Sequence, residues 1–313
     1  MTTPCTYPVG AKGEVDADLS LVFATEFGNT TPFGVHFDDA PSVHIDGNPA
    51  QTDSVTRTLE RQAAALVGFD PIINADTAVT QALADRAELA LLHMITHDPN
   101  RSPSFVLFGN PDYFLEAFGD TSPACTPAIN SKSCFIQSRA FAWNHGDFQN
   151  QITRTWLGMV GPGVRTLGQT DVIFSDHTDI RPTILSLAHL KDDYAHDGRV
   201  LFEVLKSDAL PQSLRAHQDT LRELAAAYKQ INAPRGELGR RTLSGLSTRA
   251  LEGDDTTYAT LEDKIVDITN RRNEIAGKMI SMLEDAAFGG QAIDQIAAKE
   301  LIEQAQDLLQ STD

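Results

Sequence analysis

One histidine of this chain stands where it could take part in metal chemistry. His145 lies in the polar stretch Trp-Asn-His-Gly-Asp at residues 143–147, and an apolar run at residues 155–164, predicted to be a strand, carries Gly-Pro-Gly near its end. A neutral imidazole binds a divalent metal through one ring nitrogen, but a lone histidine also serves as a hydrogen-bonded structural residue. The residue alone leaves both interpretations open.

His93 and His97 lie four residues apart on a predicted helix, so both imidazoles would share one face. Such a pair could bind zinc. The metalloprotease pattern, however, requires a glutamate directly after the first histidine as base for the metal-bound water, and Met94 occupies that place. Capping or hydrogen bonding near a helix end accounts for the pair.

The segment at residues 175–183 brings together Asp176, His177 and Asp179. Aspartate and histidine are ligands of hydrolytic metal ions. The alternative is a strand end followed by a helix cap, in which side-chain oxygens accept backbone N–H bonds, and we favour this cap. Farther along, Gly198 follows a His-Asp pair and predicts a turn into an edge strand.

Motifs for serine nucleophiles and for phosphate loops are absent from the sequence. There is no Gly-x-Ser-x-Gly elbow, and Leu-Ser-Gly-Leu-Ser at residues 243–247 lies in the predicted helical part rather than after a buried strand. No Walker or dinucleotide-binding glycine pattern is present either.

Length and charge narrow the classes of function. The 313 residues are sufficient for one large domain or two ordinary ones with a substantial core. The formal net charge of -18 argues against binding to nucleic-acid backbones or to anionic membrane surfaces. No stretch approaches about 18 consecutive apolar residues, so we expect no membrane span. The N-terminal residues lack the pattern of a signal peptide.

Two of the three cysteines, Cys125 and Cys134, lie in one polar loop, where they could close a short disulfide ring or remain two unpaired thiols. A ring of this size would stabilise the fold by roughly 2 to 3 kcal/mol on the chain-entropy description. The disulfide implies an oxidising compartment. Cys5 is left without a partner in this assignment.

Strands and helices alternate over the first two thirds of the sequence, which favours a layered α/β domain. Strands are predicted at residues 18–26, 102–109 and 171–176, a hairpin at 33–47, and helices at 52–69, 77–98 and 178–190. Three amphipathic helices are predicted after about residue 207, at residues 213–232, 258–288 and 291–310, with a loop at 233–255. The fold class is therefore α/β, a layered sheet with flanking helices, plus a C-terminal helical appendage.

The order of these stretches resembles the closing part of the core domain in the alkaline phosphatase superfamily, which includes alkaline phosphatases, nucleotide pyrophosphatase/phosphodiesterases and sulfatase-like enzymes. The resemblance rests on Trp-Asn-His-Gly-Asp, then Thr-Trp-Leu-Gly-Met-Val-Gly-Pro-Gly-Val, then Ser-Asp-His-Thr-Asp-Ile-Arg-Pro-Thr-Ile-Leu. It is clearest over residues 141–201 and extends back to residue 18. It implies a partial alkaline-phosphatase-like α/β core at residues 1–206, with residues 207–313 as the helical appendage.

The resemblance also implies a site. His145 matches the late histidine of a two-metal site, so it implies a divalent metal, zinc, and a phosphate-ester substrate. Asp176 and His177 follow that histidine, whereas the family's Asp-His ligand pair precedes it, so the ligand role is not transferred to them. The family's Thr or Ser nucleophile also precedes the histidine, and residues 1–140 show neither pattern.

We therefore expect the C-terminal part of a metal-dependent phosphoesterase, from a secreted or periplasmic parent, that is inactive alone. One alternative is a non-catalytic α/β binding or assembly module whose helical tail mediates self-association. Another is part of a sulfatase-like hydrolase, whose nucleophile would equally lie elsewhere.

Overall fold

A computed structural model describes residues 15–36, 40–70, 73–116, 134–137, 146, 148–191 and 193–312. The chain divides into two compact units. The first comprises residues 1–155 and 243–265, and the second comprises residues 156–242 and 266–313. The predicted domain boundary at residue 206 falls inside the second unit.

The first unit contains all the strands of the described residues. They are β1 (Val15–Asp18), β2 (Phe33–His36), β3 (Ser42–Ile45), β4 (Val67–Asp70), β5 (Ala75–Ala78), β6 (Thr80–Asp85), β7 (Phe105–Gly109), β8 (Tyr113–Glu116) and β9 (Phe135–Gln137). An antiparallel sheet has the order β2-β3-β7-β6, and a smaller sheet has the order β8-β1-β9, with β1 parallel to β8 and antiparallel to β9. The strands β4 and β5 pair antiparallel with each other.

The helices of the first unit are α1 (Leu19–Phe27), α2 (Ser54–Ala64), α3 (Arg86–Leu91), α4 (Asn150–Thr153) and α9 (Thr248–Glu252), together with the start of α10 (Asp255–Phe288). A π-helical turn at Thr242–Ser247 leads into α9. Apolar side chains from β1, α1, α2, β7 and α9 form one buried core, which includes Phe23, Leu59, Leu107 and Leu251.

Three sequence-based expectations in this unit are confirmed. The hairpin predicted at residues 33–47 is formed by β2 and β3, in which Val35 lies opposite Val43. The helix predicted at residues 52–69 is formed over α2, where the side chain of Asp53 accepts a hydrogen bond from the backbone N–H of Val55 at 2.9 Å, but its last residues, from Val67, lie in strand β4. The strand predicted at residues 102–109 is β7, which is buried along its whole length.

The strand predicted at residues 18–26 is wrong, because a helix begins there. Asp18 caps α1 by accepting a hydrogen bond from the backbone N–H of Leu21 at 3.1 Å, and Gly28, with φ of 62°, ends the helix in the left-handed region. The apolar run from Leu19 to Phe23 is as compatible with a short buried helix as with a strand, and the cap decides between them.

The helix predicted at residues 77–98 is also largely wrong. Most of the segment up to Asp85 lies in the strands β5 and β6, and α3 occupies only Arg86–Leu91. The alanine-rich sequence favours a helix locally, but β6 pairs with the buried strand β7, and this tertiary pairing overrides the propensity. Asp85 then caps α3 by accepting the backbone N–H groups of Ala87 and Glu88.

The second unit is helical among its described residues. It comprises α5 (Ile180–Leu187), α6 (Gln212–Arg215), α7 (Gln218–Asn232), α8 (Glu237–Arg241), the remainder of α10 and α11 (Gln295–Gln310). The helices α7 and α11 pack against each other. Each buries apolar residues spaced three or four apart, which are Leu221, Leu224 and Tyr228 on α7 and Ala298, Leu301, Ala305 and Leu308 on α11.

The three predicted C-terminal helices are therefore present, and the fold is mixed α/β with a helical C-terminal region. The loop predicted at residues 233–255 is wrong, since α8, the π-helical turn and α9 lie in it. Its leucines Leu238, Leu246 and Leu251 are fully buried, so packing compensates for a sequence rich in glycine and serine. No helix among the described residues is long and apolar enough to cross a membrane.

Candidate functional site

His145 lies outside the described residues, so its position stays a prediction. The chain that follows it is anchored in the first unit. Phe148 packs edge-on against Phe108 with ring centroids 5.3 Å apart. The buried amide of Gln149 donates to the carbonyl oxygen of Gly109 at 2.9 Å. These contacts hold the segment after His145 at the end of strand β7.

The strand predicted at residues 155–164 is wrong. The structure has no strand there, and Val164 makes only an isolated bridge with Leu205. The apolar side chains of the segment lie in water: Trp156 is 89% exposed and Val160 is 100% exposed. The strand predicted at residues 171–176 is absent as well. Without a neighbouring strand, the apolar sequence alone does not form a sheet.

The favoured interpretation of residues 175–183 as a helix cap is confirmed. The side chain of Asp176 accepts a hydrogen bond from the backbone N–H of Thr178 at 2.9 Å, and Asp179 accepts the backbone N–H of Asp176 at 3.2 Å. This reciprocal capping box begins a short 3-10 turn that continues into α5. His177, in the same turn, is exposed. The carboxylates of this segment therefore serve the backbone.

A buried lysine completes this capped turn. The ammonium group of Lys229 on α7 lies 2.7 Å from Asp176 and 3.1 Å from Asp179, and both Lys229 and Asp179 are almost fully buried. Burial works against ionisation of Asp176, but the charge of Lys229 together with hydrogen bonds from Lys229 and Thr178 outweighs it and lowers the pKa of that carboxyl below its ordinary value. For Asp179 burial dominates and raises the pKa, although Lys229 acts in the opposite direction.

The glycine of the His-Asp-Gly segment has a steric role rather than the predicted turn role. A Cβ atom at Gly198 would lie 2.1 Å from the carbonyl oxygen of Thr178, so only glycine allows the two backbones to approach this closely. The next residue, Arg199, donates its backbone N–H to Asp179 at 2.9 Å. His196 is buried with Nδ1 3.2 Å from a carboxylate oxygen of Glu284. The predicted edge strand after Gly198 is absent.

His93 and His97 do not share a helical face. The helix α3 ends at Leu91, and His93 follows it in the left-handed region with φ of 57°. Both histidines are exposed. His93 therefore lies just beyond a helix end, as expected, and its backbone conformation belongs to that helix end. The two histidines do not form the pair on one helical face that a zinc site would need.

The first unit holds a group of buried carboxyls that the sequence did not reveal. Glu60 of α2, Asp85 and Glu88 at the start of α3, and Glu262 of α10 are all buried. They are separated by up to about two hundred residues along the chain, so no spacing pattern links them. Perturbed carboxyls concentrated in this way are a signal of function or of structural strain.

The cluster includes partners for some of these groups. Arg57 donates to Glu60 at 2.6 Å and its guanidinium lies 3.7 Å from the centre of the Tyr258 ring. The hydroxyl of Tyr258 donates to Asp85 at 2.7 Å. Burial, followed by repulsion from Asp85, raises the pKa of Glu60 to about 8. The same two causes raise the pKa of Tyr258 well above its ordinary value.

Glu262 has a pKa raised further than that of Glu60. It is 5% exposed, and within the described part of the chain neither of its oxygens has a hydrogen-bond donor. Burial, followed by repulsion from Asp85, raises its pKa to about 10, so Glu262 carries a proton at neutral pH. Glu60 and Glu262 are therefore both mainly protonated at neutral pH.

The predicted disulfide ring and metal site concern few of the described residues. Cys134 is buried, and Cys5 and Cys125 lie outside the described residues, so the predicted ring stays a prediction. Within the described ranges, no group of three His, Cys, Asp or Glu side chains has the arrangement to hold a metal ion. No family model, curated protein or solved structure matches this chain.

Proposed function

We propose that the chain is the C-terminal part of a metal-dependent phosphoesterase with a layered alkaline-phosphatase-like core, in which His145 supplies one ligand of a two-metal zinc site. The proposal is based on the order of the motifs within residues 141–201. The substrate class is a phosphate mono- or diester. The parent enzyme is secreted or periplasmic.

The observation that carries the proposal is that the other polar residues of the resembling stretch have structural roles. Asp176 and Asp179 accept backbone hydrogen bonds and pair with Lys229, so they are committed to the start of α5. His177 is exposed beside them, without a metal-binding group around it in the described chain. This leaves His145 as the residue of the resembling stretch that is assigned to chemistry.

The described residues do not assemble a zinc site by themselves. A catalytic zinc takes about three protein ligands and an open position, and one imidazole does not meet that requirement. A bound zinc pair would supply charge stabilisation for the transferring phosphoryl group. The contribution of this chain is to anchor the segment after His145, through Phe148 and Gln149, against the end of β7. We propose that the nucleophile and the remaining ligands come from other parts of the parent polypeptide.

The test compares this chain with the polypeptide encoded by the complete reading frame. Hydrolysis of p-nitrophenyl phosphate and bis-p-nitrophenyl phosphate is measured with and without zinc. We expect no turnover by the 313-residue chain and zinc-dependent turnover by the complete polypeptide. In the latter, His145→Ala abolishes activity, whereas the control His177→Ala, at an exposed position, does not.

Two results would overturn the proposal. Zinc-dependent hydrolysis by the chain alone, lost in His145→Ala, would show that it is a complete enzyme. A reading frame that adds neither a Thr or Ser nucleophile nor an Asp-His pair would remove the phosphoesterase assignment.

Self-association is the second candidate, favoured by exposed apolar side chains in the second unit such as Trp156 and Ile296. Deleting residues 207–313 is unsuitable as a test, because Leu251 and Tyr258 belong to the core of the first unit. Light scattering of the full chain and of Ile296→Lys is the better comparison. A monomer in both samples would contradict this candidate.

A further inference from the structure

A cavity of about 360 Å³ in the second unit is lined by basic side chains. Arg165, Lys206 and Arg222 contribute cationic groups to its wall, and Asp208 is the one carboxylate in that wall. The chain as a whole has a net charge of -18, with 43 acidic and 25 basic residues. Cations gathered around a concave surface are therefore contrary to the overall charge of the protein, and they favour an anionic ligand.

The fold brings two of these cations together through the Gly-Pro-Gly turn. After the turn at residues 161–163, Val164 bridges antiparallel to Leu205. The backbone N–H of Arg165 donates to Val204 at 2.9 Å, and that of Lys206 donates to Gly163 at 2.7 Å. Arg165 and Lys206 each stand one position from the bridged pair, so the alternation of side chains in extended backbone places them on the same face.

The stem of Arg165 is held while its guanidinium keeps donors for a ligand. One terminal nitrogen of Arg165 donates to the carbonyl oxygen of Glu203 at 2.8 Å. A guanidinium has five N–H donors in a planar fork, which suits two oxygens of one phosphate group. The structure therefore presents an exposed guanidinium, held by a hydrogen bond to Glu203, with the geometry that recognises oxyanions.

Lys206 and Arg222 add adjustable charge to the wall. Over the described part of the chain, the ammonium group of Lys206 has no hydrogen bond or ion pair, and its side chain is exposed. Arg222 pairs with Asp219 at 3.3 Å, with both side chains in water. Such an exposed pair contributes little energy and can be rearranged at little cost when an anion arrives.

Apolar residues also line the cavity. Phe202 and Leu210 are two of them, and both are almost fully buried. Gln218, the first residue of the fifteen-residue helix α7, also lines the cavity, and the helix end adds a partial positive charge. A lining that combines cationic and apolar side chains suits a phosphate group that carries a small organic substituent.

We propose that this cavity binds a phosphate group, as free phosphate or as a phosphate monoester, with Arg165 and Lys206 as its main ligands. Arg165 binds two oxygens through its fork, and Lys206 supplies a point charge to the same group. The proposal needs no metal ion and does not rest on the proposed hydrolase function. Its failure would leave that function untouched.

Isothermal titration calorimetry of the full chain in low-salt buffer without divalent metal tests the proposal. Inorganic phosphate and phenyl phosphate are the two probes. We expect saturable binding that weakens about tenfold or more in Lys206→Gln and in Arg165→Gln, because each removes a charge-assisted contact. Lys299→Gln, which removes one charge from an exposed position of α11, is the matched control and should bind as the unchanged protein does.

The probes separate the two sources of the ligand. Tighter binding of phenyl phosphate assigns the cavity to an ester, and equal binding assigns it to the phosphate group alone. Absence of saturable binding by both probes would overturn the proposal. Equal weakening in Lys299→Gln would also overturn it, since it would reduce the effect to overall charge. Thermal unfolding of each variant verifies that the fold is retained.

Discussion

The two units of this protein bury carboxyl groups in opposite ways. In the second unit, Asp176 and Asp179 face the ammonium group of Lys229. In the first unit, Glu262 faces other carboxyls, and protonation takes the place of a cation. A buried charge is tolerated when it is paired, and an unpaired one is neutralised by a shift in its pKa. This chain therefore uses both solutions, and four substitutions test the contrast between them.

The largest expected effect comes from removing the cation. Lys229→Met leaves Asp176 and Asp179 without their counter-charge, and Asp179 is fully buried. Loss of one partner from a buried pair costs about 3 to 5 kcal/mol. Urea unfolding measures the change, with Lys299→Met as control at an exposed site. A loss below about 1 kcal/mol would show that the lysine is not needed to hold these carboxylates.

A smaller loss is expected at Gly198, which allows the backbone of the same turn to approach. The added methyl group in Gly198→Ala would collide with the carbonyl of Thr178, at a cost of about 2 to 3 kcal/mol. The matched control is Gly277→Ala in α10, where a Cβ atom meets nothing within 4 Å. That control should stabilise the helix by about 0.5 to 1 kcal/mol. If both variants have equal unfolding free energies, the close approach is not a constraint.

The protonated cluster predicts a dependence of stability on pH. Glu60 and Glu262 have pKa values raised by burial, so the folded state holds protons that the unfolded state releases above its ordinary carboxyl pKa of about 4.5. Stability from these groups is complete below that pH and is lost as the pH rises towards their folded values, which is about 8 for Glu60.

Replacing Glu262 with glutamine should therefore flatten this dependence. Glu262→Gln keeps the shape and removes the proton equilibrium, so we expect it to be more stable than the unchanged protein at pH 8, by at least about 1 kcal/mol, and similar at pH 5. Guanidinium unfolding at both pH values gives the difference. Glu274→Gln, at an exposed position of the same helix, is the control for the loss of one negative charge. A slope unchanged in Glu262→Gln would contradict the protonated state.

The smallest effect is expected in the exposed apolar segment. Val160 is 100% exposed, so Val160→Thr should change the unfolding free energy by less than about 0.5 kcal/mol. By contrast, Gly198 and Asp179, which belong to the same resembling stretch at residues 141–201, are buried. A loss above about 1 kcal/mol in thermal unfolding would mean that Val160 is covered in solution.

Some of the structure could be predicted from sequence because its causes are local. The cap at Asp53, the hairpin of β2 and β3, and the capping box at Asp176 depend on residues within a few positions of one another. The predictions for residues 18–26 and 77–85 are wrong because the apolar pattern of each segment fits both a helix and a strand. A capping side chain decided the first case, and pairing with a distant strand decided the second.

The candidate sites divide in the same way. The types and order of His145, Asp176 and Gly198 are visible in the sequence. They support the family resemblance, and Asp176 predicts the helix cap. The carboxyl cluster around Glu262 and the basic cavity around Lys206 were not detectable, because their members come from distant segments.

The turns, the caps, the amphipathic helices and the overall negative charge follow from neighbouring residues and composition, so they can be read from the sequence. Which of those charges are buried depends on the tertiary fold. The energy of an ionisable group depends on the water it loses and on the charges it meets in space, and neither quantity is set by distance along the chain.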